Sequence, residues 1–382
     1  MKGLKNVTAY VEGKGFIKTD LGIKNGRIVL GDNLEIEEIL SLTDDKIVVP
    51  GFIDEHIHGA FKADAMDGSI EALKDIATAV AKEGTTTFLA TTMTQSPENI
   101  ENALKAVNDY KKLNLKEGAE VLGVHLEGPF ISPKHVGAQP LEYVQKPSVD
   151  VMTRYIEVSG GNIKIVSLAP EMENAEELIK FLKENKIVAS IAHTGAKYAD
   201  CVNAVKWGAT NVTHTYNAQT GLHHRDVGVV GSALLMDELS CEIICDLIHL
   251  SAPAIKLVIK NKPQEKIILI TDSMRAKHMP DGESELGGQL VIVKNGEARL
   301  VDGTLAGSVL KMNDAVKNVH KTVGVSLEQT IEYATSNPAK NLKIYDEVGS
   351  IKDGKRADLC VLDKNTFEVF ATVRNGEIIY KK

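Results

Sequence analysis

The sequence has few of the features that mark a membrane, nucleic-acid-binding or disulfide-stapled protein. No stretch approaches the roughly 18 consecutive apolar residues of a membrane span. The opening MKGLKNVTAYVEGKG has neither a long apolar core nor a cleavage signal, so a cytoplasmic location with no membrane contact is expected. Basic residues are outnumbered, 44 against 52 acidic, for a net charge of -8. No general attraction to nucleic acid follows from that balance, and an anionic substrate would need a local basic site. Four cysteines in 382 residues are too few for a disulfide framework. Cys201, Cys241, Cys245 and Cys360 read as buried thiols rather than a thiolate metal site, since two of them lie in the apolar run CEIICDLI. Low-complexity runs, flexible linkers and short repeats are absent. So is a Gly-x-Gly-x-x-Gly turn after an early strand, which weakens a nucleotide-binding doubly wound sheet.

What is present is an ordinary globular mix, 43% hydrophobic and 25% charged, long enough for one large barrel and a small appendage. The first fifty residues alternate short apolar runs with turns, Asn25-Gly26 being the clearest, and the C-terminus does the same around Asn375-Gly376. The two ends are expected to pair into one small β-sandwich, 1–50 with 342–382, flanking a catalytic domain over 51–341.

That middle alternates. Apolar strand-type runs fall at 47–58, 85–92, 119–128, 163–170, 186–194, 209–215, 241–249 and 266–273. Helix-type stretches separate most of them, as in IEALKDIATAVAKEG, PENIENALKAVNDYKKL and NAEELIKFLKENK. Eight alternations predict an α/β fold, a (β/α)8 barrel of parallel strands inside a ring of helices. The segment 283–307 reads as a β-hairpin inserted after the last strand.

Strands buried on both faces should be apolar throughout. Here their ends are not: His56 and His58 close the first, Glu127 the third, and His193, His214, His249 and Asp272 later ones. All C-terminal strand ends of such a barrel meet at one mouth, so these residues become neighbours and a shared site is expected. His56 and His58, two apart in a strand, point to the same side and can reach one ion. Imidazole and carboxylate donors suit Zn, Fe, Co or Mn, and such an ion lowers the pKa of water toward neutrality. Asp272 is expected to carry the proton; its blander role would be a helix N-cap before SMRAKH.

These residues carry a family resemblance. The HxH after strand one, the single histidines after strands five and six and the Asp after strand eight resemble the amidohydrolase superfamily. PGFIDEHIHG is similar to its opening motif, and Gly349 to Asp363 to its returning β-domain. Closer motifs are similar to the branch that deacetylates N-acetyl amino-sugar 6-phosphates: HLEGPFISPKHVGAQ (125–139), VTHTYNAQTGLHHRDVGVVGSAL (212–234) and DGTLAGS (302–308). The resemblance implies that Glu127, His193 and His214 hold the main divalent metal, and that His56 and His58 complete a second position, so one or two ions are expected. It implies Asp272 as general base and then acid, and His249 as the group that polarises the acetyl carbonyl. Ala138 and Gln139 would line the sugar; Asn217, the backbone at Ala218 and Arg225 would hold the phosphate, Arg225 often from a neighbouring subunit. A loop containing Leu305, Ala306 and Gly307, between Thr304 and Ser308, would close over the substrate. His125, His223 and His224 receive no catalytic role. A phosphorylated N-acetyl amino sugar is the expected partner, and a homodimer or higher homo-oligomer the expected assembly.

The family often has Met at Gln219, Gly-Leu at Leu247-Ile248 and Ala at Ser273. These departures are expected on the substrate side, where they bear on which sugar epimer is taken, gluco or galacto. The rivals are a cyclic amidase or deaminase of the same superfamily, and an inactive scaffold that would be expected to lose its metal ligands.

Overall fold

The structure is a computed structural model describing residues 1–382. Eight parallel strands run in order around a barrel: Phe52–Ile57, Thr85–Thr91, Glu120–Glu127, Ile163–Leu168, Val188–Ile191, Asn211–Val212, Ser240–Ile244 and Ile267–Ile270. A parallel bridge between Ile57 and Ser273 joins the first strand to the last, so no edge is left open. Each predicted strand overlaps one of these. The strands are almost wholly buried, as parallel strands between a filled interior and a helical ring must be.

The helices form where amphipathic spacing meets a cap. Ile70–Ala81, Pro97–Leu113, Val149–Val158 and Ala252–Asn261 each follow a serine, Ser69, Ser96, Ser148 and Ser251, whose side chain accepts from a backbone N–H of the first turn. Ala175–Glu184 and Tyr198–Trp207 complete, with three of these four, the five helices legible in the sequence; Val149–Val158 is not among the five. No helix is long and apolar enough to cross a membrane.

The first predicted strand is divided between two sheets. Lys46–Pro50 belongs to a sheet made from the chain ends, while Phe52–Ile57 enters the barrel. Gly51 makes the break; a Cβ there would come within 2.3 Å of the Thr86 side chain. The end sheet runs Glu377–Lys381, Val369–Arg374, Leu359–Asp363, Lys46–Pro50, Lys2–Val11, Gly15–Lys24, Arg27–Gly31. Its two predicted turns carry positive φ at both central residues, 53° and 74° at Asn25-Gly26 and 50° and 82° at Asn375-Gly376. Strand alternation then couples sheet to barrel. Val48, Leu359 and Val361 pack in the sheet's own core, whereas Ile47, Val49, Cys360 and Leu362 face the barrel core.

The insertion after the last barrel strand differs from expectation. It is a three-stranded meander, Gly282–Leu286, Gln289–Lys294 and Glu297–Leu300, not a single hairpin. Two tight turns are encoded rather than one, at Gly287-Gly288 and Asn295-Gly296, all four residues having positive φ. The meander packs on Met93 and Met274 at the barrel mouth.

A buried ion pair secures the loop that leads to it. Lys277 Nζ lies 3.1 Å from Glu83, which also accepts from the Met312 N–H at 3.0 Å and meets His278 Nε2 at 2.7 Å. Burial would raise the Glu83 carboxyl, but Lys277 and His278 outweigh it and hold it below its ordinary value. Glu83→Gln is therefore expected to destabilise the fold by about 3–5 kcal/mol, because it strands the Lys277 charge in the interior. The sign with pH follows from a depressed folded value: the stabilisation is present above the ordinary carboxyl range and is lost as pH falls through and below it. Denaturant melts of both proteins at several pH values check this; equal stability near neutrality would remove the ion pair from the account.

Candidate active site and metal centre

The strand ends bring the predicted ligands together. Glu127 Oε1 lies 3.2 Å from His193 Nε2 and 3.0 Å from His214 Nε2, and those two nitrogens are 3.1 Å apart. Beside them, His58 Nε2 is 3.2 Å from both Glu127 Oε2 and Asp272 Oδ1, and His56 Nε2 is 3.4 Å from Asp272 Oδ1. Two clusters of three ligand atoms result, Glu127-His193-His214 and His56-His58-Asp272.

The backbone is strained to achieve this. His193, His214 and Asp272 sit at φ 44°, 28° and 47°, left-handed conformations that cost a non-glycine residue roughly 1–3 kcal/mol each. Three such residues at three strand ends in one mouth mark a built site. Gly128 serves the same end: it turns sharply after Glu127 at φ 75°, and a Cβ there would meet Thr94 Oγ1 at 2.0 Å. Asp272 is not a helix cap; no helix follows it. Its backbone N–H donates to His56 O at 2.8 Å and its carbonyl accepts from the Ser308 N–H at 2.8 Å.

The donor set fits a divalent cation. His193 Nδ1 donates to His135 O at 3.0 Å and His58 Nδ1 to Thr91 O at 3.2 Å, so each ring offers the lone pair of Nε2 to the centre. His56 Nε2 is buried with no hydrogen-bond partner. Several nitrogen lone pairs and two carboxylates, this close and this dry, call for positive charge between them. Protons supply it in part. Burial alone would lower the His58 value, but Asp272 and Glu127 raise it well above normal. Burial would raise both carboxyls, yet the imidazoles, His56 foremost, hold Glu127 well down and Asp272 at about 2. Gln139 braces the centre, donating from Nε2 to Glu127 Oε2 at 2.8 Å while its Oε1 accepts from the Thr94 N–H at 2.6 Å.

A third group of donors, His56, His125 and Glu242, lies deeper. It is not a further ion site, because both His125 nitrogens are engaged, with Glu55 O at 2.9 Å and Ser167 Oγ at 2.7 Å. Burial pushes the Glu55 carboxyl well up and that of Glu242 to about 8; the hydrogen bond between them raises Glu55 and lowers Glu242, so the proton they share sits on Glu55 and Glu242 is the carboxylate of the pair.

A cavity of about 220 Å³ opens over the centre. It is lined by Glu127, His58, His193, His214 and Asp272 and, as expected, by Ala138, Gln139, Asn217, Ala218, His249, Leu305 and Gly307. His249 is held by Asp246, whose Oδ2 is 2.7 Å from Nδ1 and whose Oδ1 accepts from the His249 N–H at 2.8 Å.

Some expectations are corrected. Ala306 is fully buried against the meander and does not line the cavity, because the loop alternates and only its neighbours face inward. Arg225 stands on an exposed loop, 2.7 Å from His224 Nε2, in a shallow depression with Lys197, Tyr198 and Asp226; it is not in its own chain's cavity. Gln219, Leu247 and Ser273 do not line the cavity either. Gln219 and Ser273 turn to backbone carbonyls, Thr213 O and Gly59 O, and Leu247 takes φ 67° where the resemblance places glycine. Missed by sequence reasoning were Met93, His135, Gly137 and Leu286. His135 and Gly137 lie inside HLEGPFISPKHVGAQ and could have been taken from it; nothing near Met93 or Leu286 in sequence signals a site.

Imidazoles and carboxylates gathered at the carboxyl end of a closed parallel barrel are what metal-dependent hydrolases of this fold share, and that is the class to which the site assigns the protein. The chain belongs to the amidohydrolase family, which matches residues 47–379. It is similar to an N-acetylglucosamine-6-phosphate deacetylase of Bacillus subtilis, 42% identical over 383 residues that cover 99% of this chain and 96% of that protein. An N-acetylgalactosamine-6-phosphate deacetylase of Escherichia coli is 36% identical over 340 residues, 88% of this chain and 90% of that one. The crystal structure of N-acetylglucosamine-6-phosphate deacetylase from Thermotoga maritima superposes with a TM-score of 0.89 at 35% identity, covering 99% of each chain.

Proposed function

We propose that the chain hydrolyses the acetamide of N-acetyl-D-glucosamine 6-phosphate, releasing acetate and D-glucosamine 6-phosphate. The observation that carries this reading is the joint lining of one cavity by Glu127, His193, His214, Asp272 and His249. Glu127, His193 and His214 would hold the main ion, and His56, His58 and Asp272 a second; zinc, iron, cobalt or manganese suits these donors. When bound, such an ion supplies Lewis acidity, polarising the acetyl carbonyl and making water a competent nucleophile near neutral pH. The side chains do the rest. Asp272, ionised, takes the proton from the attacking water and returns it to the departing amine. His249, its Nδ1 tied to Asp246, directs Nε2 at the acetyl oxygen. Ala138 and Gln139 shape the sugar pocket, with Leu305 and Gly307 across from them; Asn217 and the Ala218 backbone take the phosphate. All four thiols are free and buried, which suits a cytoplasmic enzyme.

Arg225 completes the phosphate clamp from the neighbouring subunit of a homodimer, consistent with its exposed loop outside the cavity of its own chain. Acetate release is to be measured on the gluco and galacto 6-phosphates side by side. A clear preference for the gluco sugar is expected; preference for the epimer would move the assignment to the reaction named for the Escherichia coli relative. In the same assay Arg225→Ala is expected to raise KM by about 10–100-fold, the worth of charge-assisted hydrogen bonds to phosphate. An unchanged KM removes Arg225 from the clamp. Mixing Arg225→Ala with Asp272→Asn chains should restore activity, since hybrid dimers regain one site with both groups; no recovery would place the arginine in its own subunit.

A further inference from the structure

The imidazoles of the centre are not equally supported from behind. His58 and His193 send Nδ1 to neutral backbone carbonyls, and His214 Nδ1 has no partner at all. His56 alone is backed by a carboxylate: its Nδ1 lies 3.2 Å from Glu242 Oε2. Glu242 comes from the middle of the seventh barrel strand and is wholly buried, as are Cys241, Ile243 and Ile244 around it. An acid at such a position is expensive to desolvate, and an apolar residue would fill the space at lower cost. Beside it Glu55 is anchored by Asn341 Nδ2, at 2.9 and 3.1 Å from its two oxygens. Glu242 also meets the Glu55 side chain and the His214 backbone N–H, but the imidazole nitrogen it faces is His56 Nδ1.

A carboxylate behind a ligating imidazole has two effects. It keeps the proton on the rear nitrogen, so the front nitrogen presents its lone pair, and it makes that lone pair a stronger donor. The front nitrogen here, His56 Nε2, is the buried one without a hydrogen-bond partner, 3.4 Å from Asp272 Oδ1 and 3.5 Å from Glu127 Oε1.

We propose that Glu242 is a positioning residue for the second metal position: acting through His56, it makes the His56-His58-Asp272 cluster hold a second divalent ion. This rests on the reading of the two clusters as a metal centre, and the first ion serves as the internal control for that reading. The experiment is calorimetric titration of Mn²⁺ or Zn²⁺ into the metal-free full-length protein, with bound metal counted by elemental analysis. Wild type is expected to take up two ions. Glu242→Gln is expected to keep the first at nearly unchanged affinity and to bind the second about 10–100-fold more weakly. In a His56→Ala background the same substitution should change neither affinity further. If Glu242→Gln does not fold, Glu242→Asp, which withdraws the charge from Nδ1, is expected to show the same selective loss. An unchanged second affinity in Glu242→Gln, equal weakening of both ions, or a single ion in wild type overturns the proposal. A wild type that binds no ion overturns instead the metal reading on which it rests.

Discussion

Asp272→Asn is expected to lower kcat for acetate release by roughly 10²–10⁴-fold, the range over which a positioned acid–base group acts. The substitution keeps the shape of the side chain and removes its ability to carry a proton. The backbone that aims it should survive, because the contacts that hold residue 272 at φ 47° are made by its own N–H and carbonyl with His56 and Ser308. KM is expected to move little, since the carboxylate faces His56 and His58 at the reacting end of the cavity rather than the sugar-binding rim. Bound metal must be counted on both proteins, because Asp272 also belongs to the second cluster. Near-normal kcat in a metal-loaded Asn variant would exclude Asp272 as the proton carrier. A fall in activity that follows metal loss would make it a ligand first.

Stripping the metal with a chelator is expected to abolish turnover, with recovery on adding back a divalent ion. It should also lower the melting temperature. A ligand present at 1,000 times its Kd stabilises the native state by about 4 kcal/mol, and a centre of converging imidazoles and carboxylates has no comparable partner in the unfolded chain. Without an ion, a proton on His58 is what balances the carboxylates: burial would lower its value, but Asp272 and Glu127 raise it well above normal. Full activity in protein shown to hold no metal would end the hydrolase mechanism drawn from this geometry.

How much of this could be read in advance differs from residue to residue. The residues that cluster at the mouth were legible because a parallel barrel strand has no ordinary use for a polar terminus. His193, His214 and Asp272 interrupt apolar runs at the one point where strands reach solvent and chemistry. Glu242 was not legible, although it is as polar and more deeply buried. It sits inside the run CEIICDLIH, where a single acid among apolar residues does not say which face of the strand it takes or what meets it. Only barrel closure brings His56, from the first strand, within 3.2 Å of it. Ala306 failed for a related reason: DGTLAGS identifies a loop, but which of its residues face inward depends on the φ and ψ angles of that loop.

The sequence by itself determined the order of the barrel strands and the identity of the polar residues that gather at their ends. Hydrophobic period, caps and turn residues act over a few positions, and polar strand ends are conspicuous against a buried background. Tertiary structure alone decided which second nitrogen meets a carboxylate and which a carbonyl, that Gln139 braces Glu127, and that Arg225 lies outside its own cavity. Those are facts about distances between strands and loops far apart in the chain. They are set by closure of the barrel and packing of the meander over its mouth, for which no local pattern of residues stands in.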